Sequence, residues 1–266
     1  MTGDLEEASR VRSLREGVFE VSIRDGWQQG RGAFGGLTIA AMVRAIEADA
    51  RAQDRALRSI TVALPGPAML GEHEIQVEHL RIGSGQSSIA ARMGQGGEVS
   101  GTCVAVLGRA RTGSLPAFCE LQRPEMPSWR TLSPVTTAGG PTFTQYFEYR
   151  LNDFIPFSGS STARTLGWVR PKQCGDAISP AAFLAAMSDT WWPTLYTRGT
   201  QPMAVATVAF TLQILAAQEP IDPAVPLAFR GHGWVLHEGY CVEQRELWSE
   251  DGQLLALNQQ TFAIIK

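Results

Sequence analysis

The chain has 266 residues, of which 44% are hydrophobic and 18% are charged. That composition allows a buried core and excludes wholesale disorder. The formal net charge is −3 at pH 7. Nucleic-acid binding depends on an excess of basic residues that displaces the counterions of the phosphate backbone, so we expect no nucleic-acid partner. No stretch approaches the ~18 consecutive apolar residues of a transmembrane helix, so we expect no membrane span.

The N-terminus and the cysteines give indications of the cellular compartment and of any metal or redox cofactor. Met1 to Glu16 carries charges of both signs and no apolar run, which is not the pattern of a signal peptide. The cysteines stand in no CxxC spacing and the histidines in no HExxH motif, so a zinc or redox site has little support. We therefore expect a cytoplasmic protein with reduced thiols and no metal or other cofactor. The cysteines are Cys103, Cys119, Cys174 and Cys241.

The first half predicts one strand, one long helix and then several strands. Val18–Arg24 alternates between apolar and polar residues, which is typical of a short strand. After a glycine-rich segment, Leu37–Ala52 contains no Gly or Pro and acquires a polar stripe toward its end, which predicts a helix. Runs separated by glycine and proline turns predict strands at Leu57–Leu64, Glu72–Ile82, Ser87–Met93 and Val99–Leu107.

Five prolines interrupt Arg111–Pro141, which we interpret as a linker that crosses the surface. Beyond it, Ser179-Pro180 is typical of a helix start. We expect this helix to run to about Tyr196, with Pro193 ending or kinking it. The strands predicted in this half are Phe143–Arg150, Arg164–Arg170, Ala204–Leu215, Phe229–Leu236, Tyr240–Trp248 and Gln253–Ile265.

The second half repeats the order of elements in the first. Ala40-Ala41-Met42 recurs as Ala185-Ala186-Met187, and Gly97-Glu98-Val99 as Gly252-Gln253-Leu254. These recurrences indicate an internal duplication; two unrelated α+β halves are the alternative. Each predicted helix is hydrophobic around most of its circumference and so needs apolar surface on several sides, which a curled sheet supplies.

The predicted fold class is therefore α+β. We expect a tandem (double) hotdog, in which each half is a long central helix wrapped by a curled antiparallel sheet. The predicted domains are an N-terminal hotdog at residues 1–110, a proline-rich linker at 111–141 and a C-terminal hotdog at 142–266.

The loop before the first helix resembles a known family. Gly30–Leu37 contains Phe34-Gly35-Gly36 and is similar to the segment that enters the first helix of double-hotdog acyl-CoA thioesterases of the thioesterase II type. The resemblance continues in the family's order through most of the chain outside the linker. It implies hydrolysis of an acyl-CoA, or a related acyl thioester, to a free acid and a thiol by a homo-oligomer. The other matching segments are Arg58–Arg109, Ala181–Pro193, Ala204–Leu215 and Gly239–Ile265.

The resemblance also implies a catalytic trio: an aspartate of the second-half helix, a threonine or serine of the next strand and a glutamine of the last strand. Carried over to this sequence, these are Asp189, Thr207 and Gln260. The family often has an Asp-His pair two and three residues after the threonine, where this chain has Ala209 and Phe210. The sequence therefore departs from the family pattern more in its substrate pocket than in its chemistry.

The residues themselves support the trio unequally. Asp189 lies on the predicted helix beside Ala185, Ala186 and Trp192, so partial desolvation is expected to make it a better base; a solvent-facing helix residue or a cap at the Pro193 kink is the alternative. Strict alternation places Thr207 with Thr211 and Gln213 on the outer face of its strand, so an ordinary threonine is the alternative to the role that the resemblance implies. Gln260 and its neighbour Gln259 face opposite ways, so only one of them can serve.

Candidate substrate-binding residues lie near the two helices. Free backbone N–H groups at Gly35 and Gly36, with the positive end of the helix dipole, suit a developing oxyanion or a pantetheine contact. Phe34 and Trp192 are candidates for an acyl pocket, and ordinary core packing is the alternative for both.

Two other functions fit the predicted scaffold. A non-catalytic acyl- or lipid-binding protein is supported by the missing polar residues after Thr207. A hotdog dehydratase or hydratase needs a histidine paired with an aspartate, and no histidine lies in the glycine-rich loop or near either helix start. We rank that alternative last.

Overall fold

A computed structural model describes residues 3–49, 55–216 and 220–265. Within these ranges the chain forms four α-helices, which are α1 (Leu5–Ala8), α2 (Gly35–Ala48), α3 (Pro180–Met187) and α4 (Leu195–Arg198). The strands of the first half are β1 (Arg12–Arg15), β2 (Val18–Ile23), β3 (Gln28–Gln29), β4 (Gly32–Ala33), β5 (Ala56–Ala63), β6 (Gly71–Ile82), β7 (Gln86–Gln95) and β8 (Glu98–Gly108). Those of the second half are β9 (Phe147–Asp153), β10 (Arg164–Pro171), β11 (Val205–Ile214), β12 (Leu227–His237), β13 (Tyr240–Trp248) and β14 (Leu254–Ile264).

Twelve of the strands form one antiparallel sheet in the order β1-β2-β6-β7-β8-β5-β11-β14-β13-β12-β10-β9. First-half strands occupy one side of this order and second-half strands the other. The halves meet where β5 pairs with β11, with Thr61 opposite Thr211. The remaining strands, β3 and β4, form a two-stranded ladder in the glycine-rich loop before α2.

The same irregularity occurs at corresponding places in the two halves. β5 pairs with β8 so that Leu57 lies opposite Leu107, and β11 pairs with β14 so that Thr207 lies opposite Phe262. Immediately after these pairs, the register shifts by one residue in both ladders. Such a β-bulge adds one residue to a strand and bends it. Its recurrence is the register expected of an internal duplication.

Helices α2 and α3 lie side by side in the core. Every residue of α2 from Gly36 to Val43 is buried, as is every residue of α3 from Ala181 to Met187. The start of α2 meets the end of α3 closely, because a Cβ atom at Gly36 would lie 2.7 Å from the carbonyl oxygen of Ala186. This close approach brings residues of both halves to one place.

The second-half helix is shorter than the sequence predicts. We expected it to reach about Tyr196, but α3 ends at Met187 and a separate short helix, α4, begins at Leu195. The Ser188 hydroxyl donates to the Leu184 carbonyl, and the Thr190 hydroxyl donates to that of Met187. The Leu184 carbonyl still accepts its helical bond from the Ser188 N–H, whereas the Met187 carbonyl is bonded by Thr190 and not by a further helical turn, so the helix ends before Pro193.

Other boundaries differ by less. The predicted strand Phe143–Arg150 begins only at Phe147, because Thr142–Tyr146 forms a 3-10 helix. The first-half helix ends at Ala48, and the last residues predicted for it, 50–52, lie outside the described residues. Residues 111–141 contain a 3-10 helix at Trp129–Thr131 and otherwise no helix or strand, which agrees with the prediction of an irregular segment.

Candidate active site

Asp189 lies in the turn after α3, against the first turn of α2. Only 5% of the residue is exposed. Its Oδ1 accepts a hydrogen bond from Gln260 Nε2 at 3.0 Å, and the nearby backbone N–H of Gly36 lowers the pKa of the carboxyl group. A Cβ atom at Gly35 would lie 2.7 Å from Asp189 Oδ2. Glycine at this position therefore gives the carboxylate room beside the helix start.

Gln260 connects the other predicted residues. Its Nε2 donates to Asp189 Oδ1 and to Asn258 Oδ1, the latter at 2.9 Å, while its Oε1 accepts from Thr207 Oγ1 at 3.2 Å. The amide orientation is fixed because both ends have partners. The structure thus brings Asp189, Thr207 and Gln260 together, whereas the neighbouring Gln259 is exposed.

Thr207 reaches this site because of the bulge in β11. Strict alternation predicted that it shares the outer face with Thr211. The register shift after Thr207 instead places it on the face of Phe210, which pairs with Gln260, and of Phe262. That face is the inner one, since Phe210, Gln260 and Phe262 are all buried. The expectation of an outer-face threonine was therefore wrong, because one inserted residue reverses the alternation.

A buried ion pair lies next to Asp189. Arg245 Nη1 is 3.7 Å from Asp189 Oδ1 and donates to the Ser188 carbonyl at 2.9 Å. Its Nε donates to Glu243 Oε1 at 2.8 Å. Both side chains are essentially inaccessible, at 1% exposure for Arg245 and 0% for Glu243. Two carboxylates therefore share one guanidinium in the protein interior.

Burial is the main influence on the Asp189 carboxyl. Desolvation raises its pKa, while the positive charge of Arg245 and the hydrogen bonds from Gln260 and Gly36 oppose that rise. The negative charge of Glu243 raises the pKa further. A carboxylate with a raised pKa is a stronger base than an exposed aspartate, which is the property that proton abstraction from water requires.

The sequence reasoning assigned no role to Arg245, Glu243 or Asn258. All three are buried on inner-facing positions of β13 and β14. Glu243 and Arg245 alternate with the half-buried Val242 and Gln244, and charged residues at every second position also suit a solvent-facing strand. Asn258 could have been found from the sequence, because it lies two residues before Gln260 on one strand and therefore on the same face of the sheet.

The candidate substrate-binding residues occupy different places. Trp192 lines a cavity of about 430 Å³ between the turn after α3 and residues 135–141. Phe34 is fully buried and stacks on Phe143 with a centroid separation of 4.1 Å, so it supports the cavity wall from behind. The Gly36 amide is directed at Asp189. Other lining residues include Phe143, Tyr149, Leu151, Trp191 and Tyr196.

The first half does not repeat this constellation. The counterpart of Thr207, which precedes the bulge of β11, is Leu57, which precedes the bulge of β5. The counterpart of Gln260, which pairs with Phe210, is Ala105, which pairs with Ile60. The Ala-Ala-Met recurrence matches Asp189 with Arg44, which forms an ion pair with Glu6 at 3.0 Å. Within the described part of the first half, these positions therefore carry no polar trio. Among the described residues, no cluster of three or more His, Cys, Asp or Glu side chains is arranged to hold a metal ion.

Comparison with known families identifies this scaffold. Residues 23–110 match the acyl-CoA thioesterase N-terminal domain, and residues 119–264 match the acyl-CoA thioesterase C-terminal domain. The chain belongs to the acyl-CoA thioesterase family. It is accordingly a thioester hydrolase, and the family resemblance inferred from the sequence is confirmed. A search of the curated proteins finds no match to the sequence.

Solved structures show the fold of this thioesterase to be a hotdog fold. A hot dog fold protein of unknown function from Alicyclobacillus acidocaldarius is 25% identical, with a TM-score of 0.85 and 98% of both chains covered. A putative thioesterase II from Thermobifida fusca YX is 21% identical, with a TM-score of 0.83 over 97% of this chain and 96% of that one. The acyl-CoA thioesterase II TesB2 from Mycobacterium marinum is 16% identical, with a TM-score of 0.77 and 98% of both chains covered. Among the described residues of the thioesterase, no helix has the length and apolar character needed to cross a membrane.

Proposed function

We propose that this thioesterase hydrolyses an acyl-CoA, or a related acyl thioester, by attack of a water molecule that Asp189 deprotonates. Thr207 and Gln260 hold that water in position. The observation that carries the proposal is the hydrogen bonding of Gln260 to both Asp189 and Thr207, at 3.0 and 3.2 Å. A base with a raised pKa and a fixed hydroxyl beside it suits the orientation of a small nucleophile.

The reaction proceeds without a covalent enzyme intermediate. Asp189 takes a proton from water as the water oxygen forms a bond to the thioester carbonyl carbon, and the carbonyl π electrons move to its oxygen. Collapse of this tetrahedral intermediate re-forms the carbonyl and breaks the C–S bond. The leaving thiolate then takes the proton from Asp189, which gives a free acid, a thiol and the original carboxylate.

The start of α2 is the proposed site for the oxyanion. Gly35 and Gly36 are its first residues, where backbone N–H groups and the helix dipole favour negative charge. A Cβ atom at Gly35 would lie 2.7 Å from Asp189 Oδ2, so the proposed base lies directly beside this helix start.

The aromatic cavity is the proposed acyl-binding pocket. Trp192 lines it, and the turn that carries Asp189 continues directly into its wall at Thr190 and Trp191. Tyr149 fixes that turn, since its hydroxyl donates to the Thr190 carbonyl at 3.0 Å. Phe34 contributes indirectly through its stacking on Phe143. A cavity of about 430 Å³ with this apolar lining suits an acyl group better than a charged ligand.

We further propose a tandem hotdog in which α2 and α3 are each wrapped by the strands of their own half, with 1–110 and 142–266 joined by the linker 111–141. The paired bulges and the two family domains support this division, although the C-terminal family match begins inside the linker, at residue 119. The cysteines of the described residues are all free, which supports a cytoplasmic location. We also propose that the protein forms a homo-oligomer, needs no cofactor and binds no nucleic acid.

An acyl-binding protein without catalysis is the second candidate. It is favoured by the near-complete burial of Asp189 and by Phe210, a buried apolar residue that pairs with Gln260. The two candidates are separated by incubating the protein with a panel of acyl-CoAs and measuring free thiol with a thiol reagent. Sustained thiol release supports hydrolysis, and binding without release supports the alternative. Loss of the enoyl thioester absorbance would instead indicate hydration.

A further inference from the structure

Beside the proposed catalytic trio, Arg245 is held by more groups than an ordinary ion pair needs. Its Nε donates to Glu243 Oε1, its Nη1 donates to the Ser188 carbonyl, and that same Nη1 lies 3.7 Å from Asp189 Oδ1. Its guanidinium carbon lies 5.7 Å from the ring centre of Phe229 and 5.3 Å from that of Phe262. The planar cation is therefore clamped between two aromatic faces.

Glu243 is itself anchored independently of Arg245. Its Oε2 accepts from both the backbone N–H and the hydroxyl of Thr194, each at 2.7 Å. Only Oε1 is left for the guanidinium, so the pair is not the two-bond fork that arginine and carboxylate usually form. Nη1 of the guanidinium is turned toward the backbone and side chain of the segment that carries Asp189, whereas the buried Nη2 makes no hydrogen bond to the described residues.

We propose that Arg245 is a positioning residue for the hydrolysis, which holds the Asp189 carboxylate in place and balances its negative charge, with Glu243 as the anchor that fixes Arg245. This inference rests on the proposed function. Opposite charges interact strongly where water is excluded, so a separation of 3.7 Å suffices for a large effect without a direct hydrogen bond.

The charged and titratable groups around Asp189 agree with this assignment. Arg245 and Glu243 face it from β13, and Tyr149 faces it from β9. Burial and the Asp189 charge hold the pKa of Tyr149 well above its ordinary value, so the phenol stays neutral. The other contacts of the carboxylate are the uncharged donors Gln260 and Gly36. Arg245 thus supplies positive charge where two buried carboxylates would otherwise repel.

A charge-matched pair of variants tests the proposal. Glu243→Gln keeps the guanidinium, and the double variant Glu243→Gln with Arg245→Met removes it without leaving an unpaired buried charge. The readouts are the pH profile of kcat/KM for an acyl-CoA that the wild type hydrolyses, and the separate values of kcat and KM. Circular dichroism and Tm establish that each variant is folded.

In the pH profile of kcat/KM, we expect the acid limb for the double variant to lie about 1 pH unit or more above the acid limb for Glu243→Gln. Loss of a nearby positive charge disfavours the ionised form of Asp189. We also expect kcat to fall by about 10-fold to 100-fold, as a displaced base requires, with KM unchanged. Coincident pH profiles and equal kcat values in the two variants would overturn the proposal. If the double variant does not fold, Arg245→Lys replaces it, and a wild-type profile with wild-type kcat would then be the contradicting result.

A second readout does not depend on activity. The carboxyl carbon of Asp189, assigned by comparison with Asp189→Asn, is titrated by NMR in the substrate-free protein. The titration is expected at higher pH in the double variant than in Glu243→Gln, and identical titrations would contradict the role of Arg245. If no acyl thioester is hydrolysed by the wild type, the proposed function fails, while this titration still decides the electrostatic coupling.

Discussion

Gln260 Nε2 donates to Asp189 Oδ1 across 71 positions of sequence, at 3.0 Å. The bond joins β14, the last strand in the sequence, to the turn after α3, and the oxygen of the same amide group accepts from Thr207 on β11. Three elements of the second half therefore converge on one carboxylate. The N-terminus of α2 completes the site from the first half, so the candidate active site exists only when both halves are packed together.

Neighbouring glutamines give a matched test of this convergence. Gln260→Ala removes the amide that links Asp189 to Thr207, whereas Gln259→Ala changes an exposed side chain on the opposite face. We expect thiol release by the first variant to fall by about 100-fold, as loss of a positioning contact implies, and that by the second to stay at the wild-type rate. Equal rates in the two variants would show that Gln260 has no role.

Gly35 is expected to tolerate no side chain. A Cβ atom there would lie 2.7 Å from Asp189 Oδ2, so Gly35→Ala must displace either the carboxylate or the helix start. We predict a loss of about 10-fold or more in kcat, since small misplacements of a reacting group are costly. Gly85→Ala serves as the control, because a Cβ atom at Gly85 meets nothing within 4 Å. Wild-type kcat in Gly35→Ala would contradict the proposed geometry.

The fold was predicted well because its signals are periodic. Alternation and glycine turns located the strands β5 to β8 and β10 to β14 to within a few residues, and an unbroken apolar segment located α2. The end of α3 was not predictable in the same way, since Pro193 is the obvious helix breaker. The Thr190 hydroxyl instead bonds the Met187 carbonyl that a further turn would use, a contact that depends on local geometry.

The site was predictable only in part. The family resemblance named the three residues that meet, although simple alternation assigned Thr207 to the outer face. A single bulge after Thr207 reverses that face, and the sequence gives no sign of where a bulge occurs. Arg245 was missed because a charged residue in an alternating strand normally faces solvent, and only tertiary packing buries it beside Glu243.

Because Asp189 is buried, we expect its carboxylate to lower the stability of the folded protein at neutral pH. Because the folded-state pKa is raised, the native state binds the proton more tightly than the unfolded state. The contribution of this group to stability is therefore fully present below the unfolded pKa and is lost as pH rises through the folded pKa. At neutral pH, Asp189→Asn is expected to raise Tm, because the amide removes the buried charge whose desolvation destabilises the folded state. A scanning calorimeter checks this, and a lower Tm would contradict the sign.

If the aromatic cavity binds the acyl group, a change in its wall should alter KM and leave kcat nearly unchanged. Trp192→Ala removes part of the cavity wall without touching the trio, so we expect KM for longer acyl-CoAs to rise by about 10-fold with little change in kcat. Trp234→Ala is the control, since Trp234 is 61% exposed and is not among the lining residues. An unchanged KM in Trp192→Ala would remove the cavity from the proposed acyl path.

The most direct test of the account is turnover by Asp189→Asn. The variant keeps the shape of the side chain but cannot accept a proton from water, so thiol release from the best acyl-CoA substrate is expected to fall by about 100-fold to 10,000-fold. Asp176→Asn, at an exposed aspartate, is the control and is expected to match the wild type. Wild-type turnover in folded Asp189→Asn would contradict the central claim that this buried carboxylate is the base.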